Sequence, residues 1–205
     1  MFDARSRVIA GRTLDPFAKW LADRSVSPIS LTLGGLGFGV ACGVSIVAGY
    51  WWLALALWLL NRLVDGLDGL VARRLGATDF GGFADIMADF VVYSGFVVAV
   101  AYRLPETRFV ATVLLMTYYV SGAAFLAWSD LIARSGSIGE QTDNRSLNFL
   151  PGLAEGTETI IAYCLICIFP AWAQEIMWVF AGMVGLTALQ RIWWARATLT
   201  AEPES

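Results

Sequence analysis

Four aspartates, Asp65, Asp68, Asp85 and Asp89, are the residues of this 205-residue sequence best placed to do chemistry. Asp65, Asp68, Gly69, Ala72 and Arg73 follow steps of three and four along one helical face, while Gly81, Asp85 and Asp89 follow steps of four along another. Two such helices, packed antiparallel after a short turn, carry the acids at roughly 15, 10, 6 and 12 Å from the turn, at about 1.5 Å per residue. The carboxylates therefore form one cluster, and small residues on the same stripes leave space beside it. The sequence contains no histidine, which excludes imidazole ligands and Ser-His or Cys-His nucleophiles and leaves acid/base work to carboxylates. Clustered carboxylates without His or Cys suit a hard divalent cation, most simply Mg²⁺, which usually bridges to phosphate. The implied substrate carries a phosphate or pyrophosphate, and Arg73 is placed to help neutralise it. Two other readings compete: a salt-bridged seam in which Arg62, Arg73 and Arg74 neutralise the acids, and a proton or ion pathway. The acids gather at one end of their helices, and nothing comparable continues beyond it.

The elements that must hold this cluster are membrane helices. Residues are 58% hydrophobic and 15% charged, with a mean hydropathy of +0.64, which is too apolar for a soluble domain. At about 20 residues per span the chain admits six or seven passes and no separate soluble catalytic domain. Cys42, Cys164 and Cys167 lie in apolar runs and read as packing residues, not as a redox pair. A net charge of −3 without a basic face argues against nucleic acid as a partner. The polar start, with no apolar run before about residue 26, predicts no cleaved signal peptide.

Residues 1–25 read as a cytoplasmic N-terminus whose 13–25 stretch forms an amphipathic juxtamembrane helix, with Phe17, Trp20 and Leu21 opposite Lys19, Asp23 and Arg24. Residues 26–196 read as six transmembrane helices, near 29–50, 51–75, 81 or 82–102, 109–134, 148–169 and 173–195. Residues 197–205 read as a disordered tail. Gly34, Gly35, Gly37, Gly39 and Gly43 in the first span permit close helix packing. With six passes, twelve of the fourteen Lys and Arg residues fall on the side of the termini, and only Arg103 and Arg108 fall opposite. That asymmetry places both termini in the cytoplasm. Trp51, Trp52, Trp172, Trp178, Trp193 and Trp194 near the helix ends supply an aromatic belt. The expected fold is an all-α integral membrane protein of six transmembrane helices preceded by a short amphipathic surface helix.

The run Asp65-Gly-Leu-Asp68-Gly69-Leu-Val-Ala72-Arg73, followed by Gly81-Gly-Phe-Ala-Asp85-Ile-Met-Ala-Asp89, resembles the signature of the CDP-alcohol phosphotransferase family. Six helices after a surface helix, and Ser27-Pro28-Ile-Ser-Leu-Thr32 where the family often has Pro-Asn-x-Leu-Thr, extend the resemblance over most of the chain. In one respect the sequence departs from the pattern. Seven residues, not eight, separate Arg73 from Gly81, and taking Gly82 instead leaves two residues, not three, before Asp85.

The resemblance implies that Asp65, Asp68, Asp85 and Asp89 bind metal, usually two ions of Mg²⁺ or Mn²⁺, with Asp89 also the general base toward an acceptor hydroxyl. It further implies that Thr32, Asp65, Asp68, Gly69, Ala72, Arg73, Gly81 and Asp85 form the CDP-binding site. The donor would be CDP-diacylglycerol or another CDP-linked molecule, the acceptor an alcohol, and the products CMP and a phospholipid. It also implies a homodimer among membrane lipid and the bacterial inner membrane with its active site toward the cytoplasm, and so small a chain favours CDP-diacylglycerol as the donor. The alternative within the family is transfer of a small phosphoalcohol from a CDP-alcohol to diacylglycerol. Outside it, a carboxylate-based ion transporter is the competing class.

The acceptor is expected to meet the start of the fifth span, where Glu155, Glu158 and Thr159 follow steps of three and four. Arg134, Arg145 and Arg191 are the cations at hand to hold an acceptor phosphate, against the added acids Asp130, Glu155 and Glu158. This balance mildly favours a neutral or cationic acceptor. The competing reading has Glu155 and Glu158 capping the helix and pairing with Arg145 or Arg191. If the strip selects the acceptor, Glu158→Gln changes the ranking of acceptor alcohols in a turnover assay; an unchanged ranking removes Glu158 from that role.

Overall fold

A computed structural model of the chain describes residues 2–135 and 156–199. Among the described residues all regular structure is helical: α1 (Phe2–Asp23), α2 (Pro28–Ala48), α3 (Trp51–Leu75), α4 (Asp79–Arg103), α5 (Arg108–Ser135), α6 (Gly156–Ile168) and α7 (Ala173–Leu199). Single 3₁₀ turns at Pro105–Thr107 and Pro170–Trp172 lead into α5 and α7. Four helical stretches are long and apolar enough to cross a membrane, Pro28–Ala48, Asp79–Arg103, Pro105–Leu131 and Pro170–Arg196. The other two expected spans differ for visible reasons. Helix α3 is 25 residues long but carries Asn61, Arg62, Asp65, Asp68, Arg73 and Arg74, and α6 is described over 13 residues. Residues 148–155 of the expected fifth span, and residues 200–205 of the tail, lie outside the described residues.

Helix boundaries follow local chemistry. Ser27 is extended, as the residue before a proline must be, and Pro28 occupies the first helical position of α2, where its missing N–H costs nothing. Gly49, at φ +85°, ends α2 by donating its N–H to Ile46 O at 2.9 Å, while Tyr50 N donates to Ser45 O at 2.8 Å. Arg103, at the end of α4, lies over this glycine: a Cβ there would stand 2.9 Å from Nη2. Helix α4 starts at Asp79, earlier than the expected Gly81 or Gly82, because Thr78 caps it by accepting from Gly81 N at 3.1 Å. Helix α1 is longer than the expected 13–25 segment, and its faces are divided differently. Ala18 and Leu21 turn inward onto Leu67 and Val71 of α3, whereas Phe17 and Trp20 stay exposed and stack on each other at 5.5 Å.

Helices α2, α3 and α4 form one tight group, and α5 packs on α7, with α6 against α3 and α7. Where they meet, Trp58, Phe96 and Tyr163 build an aromatic centre, Phe96 and Tyr163 stacked at 3.9 Å and Trp58 4.9 Å from Tyr163. Ile46, Val97, Val100, Leu114 and Met177 are buried around it. Cys42 and Cys167 are buried in the same core, and all three cysteines are free thiols. Large apolar side chains such as Val44, Val98, Phe109, Val179 and Leu189 cover the outside, as helices immersed in lipid require.

The glycines of α2 separate into two classes. Gly35, Gly39 and Gly43, spaced by four, face α3 and α4; a Cβ at Gly39 would stand 2.9 Å from Val92 Cγ1 and closer still to Cγ2. Gly34 and Gly37 face open space. Overpacking costs about 1–3 kcal/mol. Gly39→Val is therefore expected to lower the melting midpoint of the detergent-purified protein, with part of the loss recovered by Val92→Ala. Gly37→Val is expected to have little effect, and equal destabilisation by the two would contradict this packing.

Candidate active site

Three helices bring polar groups together within the α2–α3–α4 group. Helix α3 contributes Asn61, Arg62, Asp65 and Asp68; α4 contributes Asp85, Asp89 and Tyr93, each one turn after the last; α2 contributes Thr32 and the carbonyl of Gly35. Thr32 Oγ1 lies 2.9 Å from Asp68 Oδ2, and its proton serves that carboxylate. Asn61 Nδ2 donates to Gly35 O at 2.8 Å, and a Cβ on Gly35 would stand at ordinary contact distance, 3.8 Å, from Nδ2.

Arg62 is the centre of the group. Its Nε donates to Asn61 Oδ1 at 2.8 Å, Nη1 to Tyr93 Oη at 2.6 Å and Nη2 to Asp89 Oδ1 at 2.9 Å, while Nη1 pairs with Asp65 Oδ2 at 3.5 Å. The guanidinium also lies over the rings of Trp58 and Tyr93, at 4.9 and 4.8 Å from their centroids. The Arg62 side chain is 8% exposed, against 33% for Asp65 and for Asp89. Below it a buried hydroxyl network continues into the core: Tyr163 Oη donates to Tyr93 O at 2.9 Å and meets Tyr118 Oη at 3.0 Å.

The four expected aspartates are thus brought together with Thr32, and the salt-bridged seam does not account for them. Arg74 is engaged elsewhere, 2.6 Å from Asp15 of α1, and among the described residues Arg73 makes no ion pair. Arg73 is exposed and lies back along α3, with Nη1 3.5 Å from where a Cβ of Gly69 would stand. Arg62 therefore compensates Asp65 and Asp89. Asp68 has only the Thr32 hydroxyl and its own helix, and among the described residues Asp85 has neither a hydrogen bond nor an ion pair. Like charges this close and this poorly solvated repel strongly unless cations join them.

The donor set is all carboxylate and hydroxyl oxygen, which fits Mg²⁺ or Mn²⁺. Among the described residues no three acidic groups yet converge on one point, and the space lined by Thr32, Asp65, Asp68 and Asp89 is about 10 Å³, roughly the volume needed for one water. A larger cavity, about 550 Å³, is lined by Gly49 to Leu53 and by Cys167, Ile168 and Pro170, at the far ends of these helices, and holds no acid or base.

Gly69 and Ala72 are half-buried on α3 beside the acids, and Gly81 lies in the first turn of α4. The acceptor residues are more scattered. Arg145 and Glu155 lie outside the described residues, and Arg134 is at the end of α5 with its side chain outside them. Glu158 is half-buried in the first turn of α6, and its neighbour Thr159 is buried. Arg191 is anchored on α5: Nη1 donates to Ser121 O at 3.0 Å and to Ser121 Oγ at 2.9 Å, and the guanidinium lies over Phe125. Sequence reasoning weighed Arg62 only as a salt-bridge partner and passed over Asn61 and Tyr93. Tyr93 extends the Asp85–Asp89 stripe by one more turn, which was its only signal.

Comparison with known proteins places this geometry. The family model described as CDP-alcohol phosphatidyltransferase matches residues 25–194. Inner membrane protein YnjF of Escherichia coli is 39% identical over 179 residues, covering 85% of each chain. Crystal structures of Mycobacterium tuberculosis phosphatidylinositol phosphate synthase share the fold. The one with CDP-DAG bound has a TM-score of 0.72 at 21% identity, covering 95% of this chain and 98% of that one. The one with manganese and citrate has 0.71 at 20%, covering 93% and 92%. An oxygen-lined acidic site on two adjacent helices, inside a match that takes in nearly every described helix, leads to one conclusion: the chain is an integral membrane protein of the CDP-alcohol phosphatidyltransferase family, and a transferase of that type.

Proposed function

We propose that the protein transfers a phosphatidyl group from CDP-diacylglycerol to the hydroxyl of an acceptor alcohol, releasing CMP. The observation that carries this reading is the division of the four carboxylates. Asp89 is held by Arg62, while Asp68 and Asp85 are left without a cationic partner among the described residues. In this reading Asp65, Asp68 and Asp85 hold Mg²⁺ or Mn²⁺, two ions for four acids and a pyrophosphate, with Asp89 beside them. Bound divalent cations neutralise the pyrophosphate and stabilise the departing CMP. Asp89 takes the proton of the acceptor hydroxyl, whose oxygen bonds to the phosphorus carrying diacylglycerol as the bond from that phosphorus to CMP breaks. Thr32 fixes the carboxylate of Asp68. Gly69, Ala72 and Gly81 leave room for cytidine and ribose, and the exposed Arg73 is free to reach the pyrophosphate. The manganese and the CDP-DAG in the two synthase structures support this assignment of donor and metal.

The same reading places α3 and α6 in the membrane with the four apolar spans, giving six passes, two cytoplasmic termini and the acids at the cytoplasmic face of the inner membrane. A homodimer is the assembly proposed. Glu158 and Arg191 are the described residues nearest to an acceptor role. An ion pathway is disfavoured because the space at the far end of α3 is lined by apolar and aromatic residues where a conduit would need acids.

Purified protein with CDP-diacylglycerol and Mg²⁺ or Mn²⁺ should release CMP, faster with the right acceptor from a panel of alcohols. Chelation should stop release, and Asp89→Asn should lower it by about 10²–10⁴-fold. Release from a CDP-alcohol with diacylglycerol as acceptor would instead establish the reverse assignment of donor and acceptor; no turnover and no binding of any CDP-linked donor would defeat the reading. Topology is checked separately: a reporter active only in the cytoplasm should work at both termini, and activity at one terminus alone would mean an odd number of passes.

A further inference from the structure

We infer that Tyr163, braced by Tyr118, is a positioning residue that fixes the first turn of α6 against the carboxylate cluster and so sets how the acceptor alcohol reaches it. The core tyrosines take no part in the chemistry proposed above, yet their hydroxyls are joined in a definite order. Tyr163 is completely buried and stacked on Phe96, and its single hydroxyl proton goes to Tyr93 O at 2.9 Å. The contact between Tyr163 Oη and Tyr118 Oη, at 3.0 Å, is then donated by Tyr118. Thr159, one turn before Tyr163 on α6, is a further side-chain partner of the Tyr118 hydroxyl. Beside them Trp58 Nε1 donates to Ile160 O at 3.4 Å. Within two turns, α6 is thus fastened to α5, α3 and α4.

What this fastening holds in place follows from the direction of α6. Its last residues, Cys167 and Ile168, share a cavity with Trp51, Trp52 and Leu53 at the start of α3, so its first residues lie toward the end of α3 that carries the acids. Ile160 stands level with Trp58, and one turn further along α3 comes Arg62, whose guanidinium lies over the Trp58 ring. The matching turn of α6 begins at Gly156, about 6 Å nearer the acids at 1.5 Å per residue, and it carries the half-buried Glu158. Tyr93 is the point where the two sides meet. Its hydroxyl receives Arg62 Nη1 at 2.6 Å, and its carbonyl receives Tyr163, so the first turn of α6 and the acid cluster are set in register by one residue. Packing alone would accept phenylalanine in place of either tyrosine; the hydroxyls add directional bonds, which fix where α6 stands along its own axis.

This rests on the transfer reading, with the acceptor meeting the start of α6, and the experiment separates the two. Full-length protein carrying Tyr118→Phe, Tyr163→Phe or both is assayed for CMP release from CDP-diacylglycerol with Mn²⁺ and, in turn, glycerol, serine, ethanolamine and glycerol 3-phosphate. Mn²⁺ binding is measured on the same proteins by electron paramagnetic resonance. Each single variant should raise KM for the acceptor that works best by about fivefold, the net worth of one hydrogen bond. KM for the donor and the affinity for Mn²⁺ should not change, because the groups around the acids are untouched. The double variant should cost little more than Tyr163→Phe alone, since the two hydroxyls act through one chain. Tyr118→Phe, at a half-buried position, decides the matter if Tyr163→Phe does not accumulate as folded protein. An unchanged KM for the acceptor would overturn the positioning role while leaving the transfer reading in place. An equal rise in KM for donor and acceptor would also overturn it, since that marks a loosened core. CMP release that responds to none of the four acceptors in the unaltered protein would overturn the transfer reading, and this inference with it.

Discussion

Four carboxylates on α3 and α4, two helices that both pack on α2, repel one another, and their approach is tolerated only because residues of the same helices supply charge and hydrogen bonds in return. Arg62 is the main answer. It sits between Asp65 and Asp89, braced by Asn61 and Tyr93 and covered by Trp58. A buried arginine is costly by itself, and buried acids are costly by themselves; joined across α3 and α4 they offset much of each other's desolvation. The compensation is incomplete, and in the proposed reading bound cations complete it. Asp68 and Asp85 remain as oxygen donors without an arginine.

The rest of the fold keeps this arrangement in place. The stripe Gly35, Gly39 and Gly43 lets α2 wedge against α3 and α4, which brings Thr32 onto Asp68 and the Gly35 carbonyl onto Asn61. Helix α1 presses Ala18 and Leu21 on Leu67 and Val71, steadying α3 beside Asp68, and the Asp15–Arg74 pair ties the same two helices again. On the other side the stacked Phe96, Tyr163 and Trp58 give Arg62 a rigid floor. Loss of the packing and loss of the chemistry are therefore coupled in this molecule: the helix contacts that stabilise the bundle are the ones that set the carboxylate positions.

Much of this could be read in the sequence, because helical spacing is a geometric fact. Steps of three and four put Asp65 and Asp68 on one face and Asp85 and Asp89 on another, and the structure joins those faces. The membrane character followed from hydropathy alone. What could not be read was which arginine would serve the acids, since Arg62, Arg73 and Arg74 are equivalent by charge. Tertiary packing separated them: Arg62 faces α4, Arg74 faces α1 and Arg73 faces outward. The glycines of α2 were likewise equivalent by type until Val92 showed that Gly39 faces a neighbour and Gly37 does not. The face of α1 was misjudged at Leu21 because two apolar environments, lipid and protein, draw the same residue types. The acceptor strip was the least legible, for its residues lie on separate elements, and no spacing rule relates α5, α6 and α7.

The central claim is that cations and the donor pyrophosphate share the carboxylate cluster between α3 and α4. Anomalous diffraction at the manganese edge, from crystals grown with Mn²⁺ and CDP-diacylglycerol, tests it most directly. The account predicts manganese among the carboxylates of Asp65, Asp68, Asp85 and Asp89 and the pyrophosphate oxygens. Manganese bound away from these helices altogether would contradict it.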